Sequence, residues 1–433
     1  MKYNPYIPIS VQKVRKTTIK ERINVLEEHN NNIFMIPQDY IMFDYFTDSS
    51  RSTSSSVQLQ KSIMTQNGPI GSGQHLTELQ GTIFNIFGFK YSTIFNQGRS
   101  AEAAFNSVIT KESKKGIVLA NNLFSTMKYH QSINNIMLEN VSCIEHLDFE
   151  SDFMFKGNID INKLTVSLKD REIIYVAIEL SSNDIGGYAV SLANLYEVKQ
   201  LCENHNVKLV IDGTRIIENA YIIQQYEKNN LTIQEILKEI CVLADYLIMS
   251  MKKDFMCDYG GVIACNDYTK HLSFSDYSIA HGGEISGKDL SDINAGIYEA
   301  IEDSYVEYRD YLTSIMYRKF FEEKLPVISP KCSYAVFLDM SQICIDHNIE
   351  LHDIQIEIYI KTGIRVGSNT INERKLIRIA IPHRLYDLTH IIYSANEIIN
   401  IIKNTKKITK YRKLSHGETI TEHTYARYER IGL

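Results

Sequence analysis

From about residue 68 to about residue 300, short runs of β-branched and other apolar residues alternate with longer stretches whose apolar positions recur every three or four residues. The runs at 116–120, 141–144, 173–180, 207–211 and 243–249 read as strands, and 193–204 reads as a helix between two of them. Such alternation predicts βαβ units, and hence a mainly parallel sheet covered on both faces. Ahead of it, a proline-punctuated arm (Pro5, Pro8) leads through a charged helical stretch at 17–28 to a strand-like segment at 40–46. Beyond 300 come a charged, tyrosine-rich helix (301–323), a strand at 335–339, an amphipathic stretch at 354–362, a strand at 376–381 and a helix at 388–402. The expected organisation is α/β, with a large domain over 52–300 and a smaller α+β domain over 301–433. Residues 1–51 supply an N-terminal arm and part of the small domain.

The bulk numbers narrow the function classes. A chain of 433 residues, 44% apolar and 23% charged, is long enough for two cores. A formal charge of −6 with interspersed signs leaves no basic stripe to follow a phosphate backbone, so no nucleic-acid partner is expected. Seven scattered cysteines, an odd number with no C-x-x-C pair, point to a reducing compartment. The N-terminus lacks the layout of a signal peptide, and no run of eighteen apolar residues occurs. A cytoplasmic protein with no membrane partner is expected.

Two strand ends carry candidate chemistry. The run at 207–211 delivers Asp212, followed by Gly213-Thr214-Arg215; the run at 243–248 leads to Ser250-Met251-Lys252-Lys253-Asp254 and then Gly260-Gly261. One carboxylate and one lysine at the carboxyl ends of neighbouring strands suit pyridoxal phosphate: the lysine forms the Schiff base and the acid keeps the pyridine nitrogen protonated. Asn96-Gln97-Gly98-Arg99-Ser100-Ala101-Glu102 follows an aromatic-rich strand and opens a helical pattern, so its amides and Arg99 suit a phosphate at a helix N-terminus. Singly, each feature has a plainer reading: a structural turn, a surface ion pair at Asp212 and Arg215, a solvated lysine pair. The serine-rich segment 47–56 alone reads as a flexible linker.

Together and in this order, the segments resemble the tryptophanase and tyrosine phenol-lyase family, the aromatic amino acid β-eliminating lyases of the aspartate aminotransferase fold (fold type I). Further matches are Phe43-Asp44-Tyr45-Phe46-Thr47-Asp48-Ser49, Ile86-Phe87-Gly88-Phe89, Phe155-Lys156-Gly157-Asn158-Ile159-Asp160, Glu218-Asn219-Ala220-Tyr221 and Ile377-Arg378-Ile379-Ala380-Ile381-Pro382. The resemblance implies Lys253 as the Schiff-base lysine, Asp212 as partner of the ring nitrogen and Asn183 as donor to the ring oxygen. It implies Gln97, Gly98, Arg99 and Ser250 around the phosphate, Phe124 stacked on the ring, and Arg378 gripping the substrate carboxylate with Thr47 and Ser49. The serine-rich segment then begins inside the active site.

The implied reaction is removal of the α-proton of an amino acid by Lys253, then loss of the β-substituent to leave pyruvate and ammonia. Lys252 and Arg215 are the neighbouring cations that would lower the pKa of Lys253. Alternatives are β-replacement, transamination, or a cofactor-bound relic without catalysis. The family also implies a homotetramer of dimers. A rival pair of motifs, S-x-x-K at Ser250–Lys253 and K-T-G at 361–363, belongs to penicillin-recognising serine hydrolases, but no Ser-Asp-Asn lies between them.

The chain departs from the family where the leaving group is handled. Ile70, or a neighbour in Gly68-Pro69-Ile70-Gly71-Ser72-Gly73, stands in place of a proton-donating tyrosine, and isoleucine cannot donate a proton. Asn369, in a shortened loop at 367–375, replaces the phenol-binding arginine of tyrosine phenol-lyase, Ser125 replaces the indole-selecting aspartate of tryptophanase, and His423 matches a tryptophanase histidine. Gly68 and Asp258 occupy the potassium-ligand positions, which argues against a monovalent-cation site; no other metal is expected.

Overall fold

A computed structural model describes residues 2–7, 13–49, 54–65, 73–111, 116–169, 171–404, 408–414 and 422–431, the side chains of 422 and 423 excepted. Two compact units are present, one of residues 53–307 and one of residues 1–52 with 308–433. The strands that build the two larger sheets are, in chain order, β1 Phe43–Tyr45, β2 Tyr91–Phe95, β3 Ile117–Ala120, β4 Met137–Asn140, β5 Ile173–Glu179, β6 Lys208–Asp212, β7 Tyr246–Ser250, β8 Gly261–Cys265, β9 Ala335–Asp339, β10 Ile364–Ile371 and β11 Arg374–Ala380.

In the unit of residues 53–307, seven strands form one sheet in the order β2-β8-β7-β6-β5-β3-β4. Only β8 runs against the others. Val176–Ile178, Leu209–Ile211 and Leu247–Met249 are buried throughout, which is why the inner strands read as unbroken apolar runs. Helices begin where the sequence provides caps: Ser191 accepts from the Asn194 amide ahead of Leu192–Asn204, and Thr232 forms a capping box with Glu235 ahead of Ile233–Leu243.

Several expectations are corrected. The strand expected at 141–144 lies earlier, at Met137–Asn140. It is an edge strand with exposed Met137 and polar Glu139 and Asn140, so it lacks an apolar signature; the buried Val141 follows it and donates its amide to Ala120 O at 2.8 Å. The segment 40–46 is a 3₁₀ turn (Gln38–Tyr40) followed by the short β1. In the serine-rich stretch, Ser55 caps the helix Ser56–Met64 through a capping box with Gln58, so part of the segment is a helix start. Residues 50–53 lie outside the described residues.

In the other unit, four strands run in the order β1-β10-β11-β9, with Tyr45, Met316, Phe320, Leu338, Ile358 and Ile377 in its core. The segment expected as a loop at 367–375 is a β-hairpin instead. Asn372 and Glu373, at φ 44° and 69°, make the tight turn that joins β10 to β11. Lys361-Thr362-Gly363 is a helix end, with Gly363 at φ +74° as the left-handed cap of Leu351–Thr362. All seven cysteines are buried free thiols. Among the described residues, no helix is long and apolar enough to cross a membrane.

One side chain fixes the carboxyl edge of the large sheet. Buried Asn121, just past β3, donates from Nδ2 to Gly157 O (2.8 Å) and Glu179 O (3.0 Å), and its Oδ1 accepts from the Glu179 amide (3.0 Å). Removing it leaves buried backbone groups of β5 unpaired. Asn121→Ala is expected to cost about 2–4 kcal/mol, read as a lower urea midpoint at unchanged slope; a midpoint equal to that of the parent would show that the clip contributes nothing to stability.

Candidate active site

β6 ends on Asp212, which is buried. Its Oδ1 accepts the Thr214 amide at 3.0 Å, and the Thr214 hydroxyl oxygen in turn accepts the Ser250 amide at 3.1 Å. With Gly213 donating to Ile248 O at 2.8 Å, the ends of β6 and β7 are laced together. Arg215, buried, stands at the N-cap of the helix Ile216–Tyr226. Half-buried Lys253 sits in the turn that follows β7. Met251 donates to Gly260 O and Met256 to Lys253 O, while Asp254 Oδ2 accepts the Ile217 amide at 2.7 Å. Asp254 therefore anchors the lysine's turn to the first turn of the helix behind Arg215. Sequence reading gave it no role, because its partner is a backbone amide 37 residues earlier.

A second group converges on the same edge. Gln97 is the N-cap of the helix Gly98–Thr110 and makes no side-chain capping bond, while its carbonyl accepts the Ser100 and Ala101 amides at 3.1 and 3.3 Å. Gly260 donates to Asn96 O at 2.9 Å. A Cβ on Gly98 would strike Ser250, and one on Gly261 would strike the Gln97 carbonyl, so neither position accepts another residue without displacement. The helix N-terminus without a side-chain cap, the exposed Arg99 guanidinium and the Ser250 hydroxyl form a set suited to a phosphate dianion. The antiparallel β8, absent from the sequence reading, brings Gly261 opposite both Phe95 and Ser250.

Phe124, half-buried, follows β3 at the N-cap of Ser125–Ile133. Asn183, buried, opens the 3₁₀ turn after β5; its amide donates to Glu179 Oε1 at 3.1 Å and its Nδ2 to Asp184 Oδ1 at 3.2 Å. Every residue expected at the cofactor thus lies beyond the carboxyl end of one of five strands that run in one direction, the edge where ligands of such sheets bind.

Thr47, Ser49 and Arg378 belong to the other unit, where they form a group of their own. Arg378 Nη2 donates to Phe46 O at 3.0 Å, and Thr47 Oγ1 donates to Asp48 Oδ1 at 3.0 Å and lies 3.5 Å from Ser49 Oγ. Arg378 pairs across the hairpin with Gly367, whose missing side chain leaves room for the guanidinium. Among the departures, Ser125 and Asp258 are exposed, and Asn369 pairs with Leu376 on β10. Gly68 and Ile70 lie outside the described residues, as does the side chain of His423.

Two glutamates beside Asp212 were not anticipated as site residues. Glu179 ends β5 in register with Asp212, and Glu102 lies in the helix of the phosphate cradle, accepting from Thr126 Oγ1 at 2.6 Å. Burial, then the charge of Asp212, raises Glu102 to about 8, against hydrogen bonding by Thr126 and the charge of Arg99. Glu179 is raised well above the usual range by burial, Asp212 and Asp184, and opposed by the Asn183 amide and Arg215. Burial raises Asp212 also, but Thr214 and Arg215 hold it back. Protons therefore reside on the glutamates first.

Folding lets Glu102 keep a proton between its ordinary value of 4.5 and about 8, so stability is lost as pH rises through that window. Glu102→Gln removes this loss. In thermal melts without added cofactor, the variant is expected to match its parent near pH 4.5 and to exceed it above pH 8 by at least about 1 kcal/mol, since a tenfold change in proton affinity corresponds to about 1.4 kcal/mol. Parallel curves across that range would rule out a protonated Glu102.

Comparison with known proteins agrees with this geometry. The model of the β-eliminating lyase family matches residues 44–396. A tyrosine phenol-lyase of Clostridium tetani (strain Massachusetts / E88) is 30% identical, covering 93% of each chain. A probable β-eliminating lyase of Trichomonas vaginalis is 30% identical over 97% of each. Among solved structures, a putative L-allo-threonine aldolase of Listeria monocytogenes EGD-E superposes with a TM-score of 0.60 at 14% identity, covering 89% of this chain and 99% of that one. A serine palmitoyltransferase of S. paucimobilis, with bound PLP-myriocin, superposes at 0.62 and 11% identity, covering 90% and 98%. At such identities the structures show the shared fold, while the family match and the relatives establish kinship in sequence. The chain belongs to the β-eliminating lyase family, pyridoxal-phosphate-dependent lyases of fold type I that act on amino acids.

Proposed function

We propose that this chain cleaves, with uptake of one water, an amino acid carrying a good β-leaving group, an S-substituted cysteine being the simplest case, to pyruvate, ammonia and the released thiol. The observation that supports this most is the convergence, on one sheet edge, of Asp212, the Lys253 turn and the Gly98–Ser250–Gly261 cradle. Those residues fit pyridoxal phosphate: glycines leave the backbone open, the helix N-terminus lacks a side-chain cap, and a buried carboxylate lies at the strand end beside a lysine-bearing turn. When bound, the cofactor supplies an electron sink next to the α-carbon.

Gln97, Gly98, Arg99 and Ser250 hold the phosphate, Phe124 covers the ring face and Asn183 donates to the ring oxygen. Asp212 keeps the proton on the ring nitrogen. Lys253 would anchor the cofactor and its Nζ would take the α-proton, with Arg215 as a neighbouring cation. Arg378, with Thr47 and Ser49, binds the substrate carboxylate. Leaving-group chemistry narrows the substrate. Expelling indole or phenol requires protonation of a ring carbon, whereas a thiol of pKa about 8.5 leaves as its anion, and isoleucine at position 70 offers no proton.

In an assay of pyruvate release, S-substituted cysteines are expected to turn over faster than tryptophan or tyrosine, and Lys253→Ala to lower the rate by at least about a thousandfold. Faster release from tryptophan or tyrosine would refute the substrate assignment. An unaffected Lys253→Ala enzyme would refute the site.

A further inference from the structure

Glu179 is a buried acid at this edge whose placement the reaction above does not use. It closes β5 as Asp212 closes β6, and the two pair in register on parallel strands. Side chains at paired positions of neighbouring parallel strands point to the same face, one strand spacing apart. Glu179 is 4% exposed. Its backbone is clamped by Asn121, and its Oε1 is fixed by the Asn183 amide at 3.1 Å, while Oε2 is buried with no hydrogen-bond partner. A carboxylate oxygen sealed away without a donor is costly, but a protonated oxygen beside a second carboxylate is a donor with a ready acceptor.

We propose that Glu179 is a positioning residue for Asp212: it carries the proton that the pair shares and directs it from Oε2 toward Asp212, so that the negative charge stays on the acid facing the cofactor's ring nitrogen. This rests on the assignment of Asp212 to that nitrogen. The charged groups around Glu179 fit the role. Asp212 on β6 and Asp184 in the turn after β5 disfavour a second negative charge, Arg215 at the start of the following helix favours it more weakly, and Glu102 adds a further acid near Asp212. Two ionised carboxylates side by side cannot both persist in such a site, so one holds a proton. Asp212 has Thr214 and Arg215 to stabilise its charge. Glu179 has one backbone amide on Oε1 and no donor on Oε2.

The test has two arms. In infrared spectra of the protein without cofactor at neutral pH, Glu179→Gln is expected to remove one protonated-carboxyl carbonyl band; an unchanged carboxyl region would overturn the proposal. That arm does not depend on the cofactor assignment. In the second arm, apoprotein is titrated with pyridoxal phosphate and the ring nitrogen is followed by ¹⁵N resonance of labelled cofactor. Glu179→Gln, neutral and still able to donate, is expected to keep both the dissociation constant, within about threefold, and the ring-nitrogen shift. Glu179→Leu is expected to weaken binding at least about tenfold, equivalent to about 1.4 kcal/mol, and to move the resonance toward the unprotonated ring. A Gln variant that behaves like Leu would show that Glu179 acts as an anion, and a Leu variant that behaves like the parent would show that it does not act on Asp212; either overturns the proposal. Failure of the parent itself to bind pyridoxal phosphate would instead overturn the cofactor site, and with it the role assigned to Glu179.

Discussion

The proposed reaction needs a charged carboxylate inside the protein, at the end of the central strand of the sheet, and the surroundings of Asp212 bear on that requirement. An isolated buried charge is not tolerated at neutral pH. Here the Thr214 amide stabilises the charge directly and Arg215 does so through space, against the effect of burial, while burial and the Asp212 charge push the two neighbouring glutamates up. The same Thr214 joins β6 to β7 through the Ser250 amide, so the group that stabilises the acid also sets the start of the lysine-bearing turn. Asp254 then ties that turn to the helix behind Arg215. Acid, cation and lysine are thus linked by a short chain of hydrogen bonds within one unit.

Much of this frame was legible because strands buried on both faces announce themselves. The runs that became β5, β6 and β7 are apolar almost without interruption, and their ends locate Asp212 and Ser250 directly. β4 was misplaced because an edge strand has no need of apolar residues on both sides, and Val141 and Cys143, which are buried beyond its end, supplied a stronger signal. β8 was missed for a different reason. Gly260 and Gly261 stand out at its start, but the antiparallel insertion between β2 and β7 that brings Gly261 against the Gln97 carbonyl is a property of the whole sheet.

The candidate site was legible in proportion to how local its determinants are. The helix start at Gln97–Arg99 is written within a few consecutive residues, and so is the lysine turn. Glu179 is different, since its significance comes from the pairing of β5 with β6, which are separated in sequence by an entire helix, Leu192–Asn204. Nothing near position 179 distinguishes it from any polar residue at a strand end. Glu102 lay inside a quoted motif, yet its behaviour depends on burial against Asp212 and on Thr126, two contacts that only the folded chain supplies.

The proposed chemistry separates into two tasks that draw on different residues. Removing the α-proton depends on the electron sink and on Lys253, for which the candidate residues sit together at the carboxyl edge of the large sheet. Expelling the β-substituent depends on the leaving group's own basicity and on whether a protein acid lowers its cost. A rate scales with the barrier at about 1.4 kcal/mol per tenfold, so a missing acid is severe for a carbon leaving group and slight for one that departs as a stable anion. In the proposed reading, Ile70 or a neighbour standing in place of the family's tyrosine bears on which bond breaks and leaves the α-proton step untouched.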